Sequence, residues 1–175
     1  YTPTGNVTLY ATWKANTYTV SYNANGGSGA PDSQTKTHGT ALTLSSTKPT
    51  RSNASTTYTV TFDANGGSVD TESLTATKTT TYTFSTWNTA KDGSGTSYKS
   101  GASYTANAAA TLYAQWTSSS STTEITLPTP TRSGYNFKGW ATSSTASSGT
   151  TGSYTPSKSL TLYAVWSIKT YTVAY

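Results

Sequence analysis

The chain repeats itself, and this limits its possible folds more than any other feature. Its first 22 residues, Tyr1–Tyr22, align without a gap on its last 22, Tyr154–Tyr175, with 13 identical positions. A match of that length at an offset of 153 residues implies one period of a longer array plus a short overlap, so repeat architectures come before any single-core fold. Shorter phrases recur inside the period. TLYAxW occurs at Thr8–Trp13, Thr111–Trp116 and Thr161–Trp166. YTVSYNANGG at Tyr18–Gly27 parallels YTVTFDANGG at Tyr58–Gly67. FSTWNT at Phe84–Thr89 parallels FKGWAT at Phe137–Thr142, and ALTLSSTKPTR at Ala41–Arg51 parallels EITLPTPTR at Glu124–Arg132.

These phrases divide the chain. Residues 1–17 close a preceding repeat and residues 167–175 open the next. Residues 58–116 carry a complete set of phrases. Residues 117–166 lack the NGG hairpin, and residues 18–57 have that hairpin but no closing TLYAxW strand. A piece of roughly 40 residues without disulfides rarely holds its own core, so 18–57 is expected to share a sheet with a neighbour. The polar run Thr117–Thr123 is the best candidate for a linker, and Ser52–Thr57 marks a weaker boundary.

Alternation with period 2 predicts a mainly β fold of tandem small antiparallel sheets with little or no helix. Val60 and Phe62 fall on one face of their segment, as do Leu112 and Trp116 of theirs. Asn25-Gly26 and Asn65-Gly66 are expected turns, since a type I′ hairpin needs positive φ at both central residues; Asp92-Gly93 is a third. The good helix formers at Tyr104–Ala110 amount to a single turn at most. An isolated hairpin is marginal in water, so each module needs apolar anchors. The expected core is Trp13, Trp87, Trp116, Trp140 and Trp166 with Leu112, Leu162, Val60 and Phe62.

Composition narrows the function. There is no cysteine, His38 is the only histidine, and six residues are acidic, which leaves no thiolate metal site, no disulfide and no histidine–carboxylate constellation with a nucleophile elbow. Asp63-Ala64-Asn65-Gly66 resembles part of a calcium loop but lacks further carboxylates, and a turn explains it better. No catalytic residue, metal ligand or cofactor is expected. Net charge is +5, yet the basic residues are dispersed, so no nucleic-acid footprint forms; no run of about 20 apolar residues exists for membrane insertion. Tyr10, Tyr113 and Tyr163 share one slot of TLYAxW and are the candidate ligand contacts, for stacking on sugars; packing against a neighbouring strand is the competing reading. Scarcity of acids argues against lysine–asparagine cross-links of the kind that staple some surface proteins.

YTVTFDANGG, the Y-x-F-x-x-W strands YTFSTW and YNFKGW, and TLYAxW together resemble the Listeria–Bacteroides repeat, also called the InlB B-repeat-like family. The likeness spans residues 58–116 fully, the second two-thirds of the pattern in 117–166, and its first part in 18–51. It implies small β-grasp-like modules on secreted or wall-attached bacterial surface proteins, without catalysis. The resulting expectation is a stalk, spacer or fibre segment of a long extracellular protein. The alternatives are a glycan- or host-protein-binding adhesin module and a self-assembling filament subunit. Expected partners are neighbouring repeats of the same chain, with other copies, glycans or host surface proteins as further candidates.

Overall fold

The computed structural model describes residues 2–175. Its strands are β1 Thr17–Asn23, β2 Gln34–Thr37, β3 Leu42–Thr43, β4 Ala54–Asp63, β5 Ser73–Asn88, β6 Ser97–Tyr98, β7 Ser103–Tyr104, β8 Ala110–Thr122, β9 Ile125–Thr126, β10 Tyr135–Ala141, β11 Ser153–Tyr154 and β12 Leu160–Ile168. The fold is mainly β, and no helix occurs among the described residues. Tyr104–Ala110 runs from β7 through an irregular segment into β8 rather than forming a helical turn.

The chain forms two compact units, and neither is a continuous stretch. Unit 1 joins the stretch ending at Ser52 to Tyr82–Thr117; unit 2 joins Asn53–Thr81 to Ser118–Tyr175. The sequence repeats and the compact units therefore do not coincide. The hairpin of residues 18–37, which has no closing strands directly after it, is completed by the FSTW and TLYAQW strands. The hairpin of residues 54–81 is completed by YNFKGW and TLYAVW. Two of the passages between units fall inside β5 and β8.

In unit 1 the strand order is β5-β8-β1-β2. β1 and β2 form the antiparallel hairpin, and β8 lies parallel to β1 with Val20 opposite Ala110 and Asn23 opposite Tyr113. Small pairs β3–β7 and β5–β6 finish the unit. In unit 2 the order is β10-β12-β4-β5, with β12 parallel to β4 in the matching register, Val60 opposite Leu160 and Asp63 opposite Tyr163. β9 and β11 supply the small pair. Each parallel pair joins segments far apart in sequence, adding to the antiparallel pairings that alternation predicts.

Thr117–Thr122 is strand, not linker. The Thr123 amide donates to the Thr77 carbonyl, the Thr77 amide donates to Thr123 Oγ1, and the Thr80 and Ser120 hydroxyls bond each other. Composition alone marks such a run as a linker, but threonine favours pleated backbone once a partner strand is present.

Each unit has one core. In unit 1, Val20, Leu44, Trp87, Tyr104, Leu112 and Ala114 are buried together. In unit 2 the cluster comprises Val60, Phe62, Ala76, Ile125, Leu127, Trp140, Leu162 and Ala164. Trp116 and Trp166 pack half-buried on these clusters. Trp13 does not join a core; it is 91% exposed. The TLYATW phrase around it forms no strand, because β8 and β12 gain their burial from parallel partners β1 and β4 and Thr8–Trp13 pairs with no such strand.

Candidate functional site

The recurring chemistry of the chain lies where each NGG turn meets the TLYAxW strand of its own unit. Asn25 and Asn65 both adopt φ 47, followed by Gly26 at 87 and Gly66 at 84, the left-handed pair that a type I′ turn demands. The asparagine side chain then leaves the turn. Asn25 Nδ2 donates to the carbonyls of Ala114 and Lys91 at 2.9 and 3.0 Å. Asn65 Nδ2 does the same to Ala164 and Ser144, each at 3.0 Å. The turn residue thus ties its hairpin to the closing strand and to the loop beside it.

The tryptophan of the closing strand returns the contact. Trp116 Nε1 donates to the Ala24 and Asn25 carbonyls at 3.1 Å, and Trp166 Nε1 donates to the Ala64 carbonyl at 3.0 Å. The second glycine makes room for this ring. A Cβ on Gly27 would stand 2.5 Å from Trp116 Cζ2 and 2.4 Å from the Thr50 carbonyl; on Gly67 it would meet Trp166 Cζ2 and the Thr131 carbonyl, both at 2.6 Å. Only glycine permits that approach.

An arginine completes each clamp. Ser28 and Thr50 exchange both backbone hydrogen bonds, as do Ser68 and Thr131, which holds Arg51 and Arg132 beside the turns. Arg132 Nη1 donates to the Asn65 carbonyl at 3.1 Å. The two guanidinium carbons lie 3.9 Å from the ring centroids of Tyr82 and Tyr135. Neither arginine nor either tyrosine is apparent from spacing, yet the shared PTR ending of the two ITL-type phrases is the signal that could have found them.

Asn25, Gly26, Asn65 and Gly66 thus do more than turn the chain. Trp116 and Trp166 serve the clamp, while Trp87 and Trp140 are the true core anchors, 0% and 2% exposed. Leu112, Leu162, Val60 and Phe62 are buried among them. The three slot tyrosines do not share one environment. Tyr10 is 85% exposed and outside any strand, whereas Tyr113 and Tyr163 are half-buried in β8 and β12. Tyr163 borders a groove of about 520 Å³ with Tyr154, Lys158 and Thr142. No cluster of three or more histidine, cysteine or acidic side chains gathers among the described residues.

Two further polar groups are buried in unit 1. Asn88 is satisfied by five partners in the loop it closes: its Nδ2 donates to the Gly93 and Gly95 carbonyls and Ser97 Oγ, and its Oδ1 accepts the Ala90 and Gly95 amides. Lys36 is the other, and unit 2 has no counterpart to it.

The Listeria-Bacteroides repeat domain matches the chain at residues 18–55, 58–115 and 117–165. The chain belongs to this family. Comparison with curated proteins and with solved structures finds no significant match. The three matched repeats are distributed over two clamps: the match at 58–115 contributes its hairpin to unit 2 and its closing strands to unit 1. The family is compatible with an extracellular surface repeat protein.

Proposed function

We propose that the chain is a non-catalytic structural segment of a long extracellular bacterial surface protein, acting as a stalk or spacer whose partners are its own neighbouring repeats. The observation that carries this reading is the exchange of hairpins between units. Residues 54–81 lie in sequence between Arg51 and Tyr82 of unit 1, yet they belong to unit 2. Neither unit can be released as a separate bead by stretching or cutting one linker. Repeats joined in this way add length as they are added in number. Arrays of one, two and four periods, measured by electron microscopy or small-angle scattering, are expected to lengthen in proportion to copy number. A maximum dimension that grows only as a compact globule's would overturn the reading.

A second reading, sugar binding, has the groove beside Tyr163 in its favour. An aromatic face, a lysine and a threonine hydroxyl around a concave surface suit a hydroxyl-rich ligand. It predicts saturable glycan binding that Tyr163→Ala abolishes without unfolding the protein; a glycan array with no hits removes it.

A further inference from the structure

The two units follow one plan, so a buried charge in only one of them needs its own explanation. Lys36 lies in β2 opposite Tyr18 and is 1% exposed. Ala76 holds the corresponding place opposite Tyr58 and is also buried. The architecture therefore does not require a lysine there. Burying an ammonium without an anionic partner is costly. The partners of Lys36 Nζ are both neutral: the Thr37 carbonyl at 2.7 Å and Asn107 Oδ1 at 2.9 Å.

Asn107 is held for more than a hydrogen bond. Its Oδ1 also accepts the Gly39 amide at 2.9 Å. Two donors converging on one atom identify it as the oxygen of the side-chain amide. The Gly39 amide also draws electron density from Cγ, as a donor aimed at a carbonyl does in acyl transfer. Asn107 itself is exposed, so a group leaving Cγ has a path to water. Ser157 stands at the equivalent position of unit 2, which thus lacks both members of the pair.

We propose that Lys36 and Asn107 form an intramolecular amide cross-link, a modification site confined to unit 1. The Lys36 ammonium first gives a proton to water, and the amine nitrogen then attacks Cγ of Asn107. The Nζ–Cγ bond forms, the Cγ–Nδ2 bond breaks, a proton passes from Nζ to Nδ2, and ammonia departs. Neither oxidant nor reductant is consumed. The shortage of acids counted against such a bond, because a carboxylic acid is the obvious group to polarise the amide. Here the Gly39 amide is placed to do so. No side chain ferries the proton, so the reaction is slow by enzymatic standards. It needs to happen only once per molecule, and holding the two groups in contact removes the entropic cost of bringing them together.

The bond would close a ring from Lys36 to Asn107, with the hairpin of unit 2 inside it in sequence. Tension entering at β2 would then bypass that hairpin. This consequence rests on the stalk reading; the bond itself does not. The test is the intact mass of the full chain, taken fresh and after prolonged incubation, together with a tryptic map. The expected result is a mass one ammonia below the sequence value, with Lys36 uncut by trypsin and joined to the Asn107 peptide. Lys36→Ala, which copies Ala76 and so should fold, and Asn107→Ala should each restore the full mass. Both should lower the melting temperature by on the order of 10 °C or more. A full sequence mass in the incubated parent, or a mass deficit that survives in Lys36→Ala, would overturn the cross-link whatever the fate of the stalk reading.

Discussion

The Arg51 guanidinium carbon lies 3.9 Å from the centroid of the Tyr82 ring, the same distance that separates Arg132 from Tyr135. Only Ser133 and Gly134 intervene in the second pair. In the first, a complete hairpin intervenes, and it serves the other unit. The contact survives the interruption because closing a longer loop costs little more than closing a short one. It also shows how the interleaving preserves each unit: the chain departs at the arginine and returns at the tyrosine, and the clamp is reassembled across the gap.

The arginines therefore hold positions that a lysine cannot fill. Each cation over its aromatic face contributes about 0.5–1 kcal/mol, and Arg132 adds a hydrogen bond to the Asn65 carbonyl worth about 1 kcal/mol more. Arg51→Ala should lower stability by about 0.5–1 kcal/mol and Arg132→Ala by about 1–2 kcal/mol in urea titrations followed by tryptophan fluorescence. The lysine variants should recover less than half of each loss, since the planar fork is lost.

The second glycine of each NGG should be far less replaceable than glycines with open space around them. Gly27→Ala puts a methyl into Trp116 and the Thr50 carbonyl. Overpacking of that kind costs about 1–3 kcal/mol, and more where backbone must yield. Gly29→Ala strains a residue at φ +71 but meets nothing within 4 Å, so its cost should stay near 1–2 kcal/mol. Thermal melts of the two variants check the order.

Local structure was legible and partner choice was not. The hairpins follow from period 2 and from Asn-Gly pairs, both properties of neighbouring residues. TLYATW at Thr8–Trp13 and TLYAVW at Thr161–Trp166 differ at one position, yet only the latter is strand. No local signal separates them, because the difference is the presence of a parallel partner distant in sequence. Burial of Lys36 was hidden because QTKT is polar throughout, leaving alternation nothing to report. The Arg51–Tyr82 contact spans the inserted hairpin, and spacing rules read only nearby positions.

The two buried tryptophans should respond differently to losing their ring nitrogen. Trp140 Nε1 donates to the Pro128 carbonyl at 2.7 Å, whereas Trp87 Nε1 is buried without a protein partner. The segment after Leu44 is two residues longer than that after Leu127 up to the shared Pro-Thr-Arg, and no carbonyl meets Trp87. Both phenylalanine variants lose ring volume. Only Trp140→Phe also breaks a hydrogen bond and strands an acceptor, so it should cost about 1–3 kcal/mol more than Trp87→Phe. Equal losses in denaturant titrations would count against the bond.

Stability should fall in alkali. Burial pushes the Tyr22 hydroxyl above its ordinary value of 10.0, offset in part by the Ser45 amide that donates to it. Burial does the same to Tyr104, with neighbouring Tyr98 adding to the rise. A phenol whose folded value is raised stabilises the fold below its unfolded value, and that contribution is lost as pH climbs through the folded one. Melting temperature should therefore hold up to about pH 10 and decline above it. Tyr22→Phe should flatten the decline while losing, at neutral pH, the bond the hydroxyl donates to Gln34 and the one it accepts from the Ser45 amide. Ultraviolet titration of phenolate alongside the melts tests the link.

The strictest test of interleaving is to undo it. Residues 58–116 form an unbroken family repeat in sequence, but in the structure they hold the hairpin of one unit and the closing strands of the other. Expressed alone, they lack β1 for TLYAQW to pair with and β12 to cover their own hairpin, so they should show no cooperative melt. A chain in which Ser-Gly, copied from Ser133-Gly134, replaces residues 52–81 joins Arg51 to Tyr82 as Arg132 is joined to Tyr135. Ended at Thr117, it keeps every member of the unit 1 core, both sides of the NGG turn and Trp116. It should fold cooperatively with Trp87 shielded from quenchers, although it contains no uninterrupted copy of any repeat as matched at 58–115. A cooperative fold from 58–116 and a disordered shortened chain would reverse the assignment of hairpins to units.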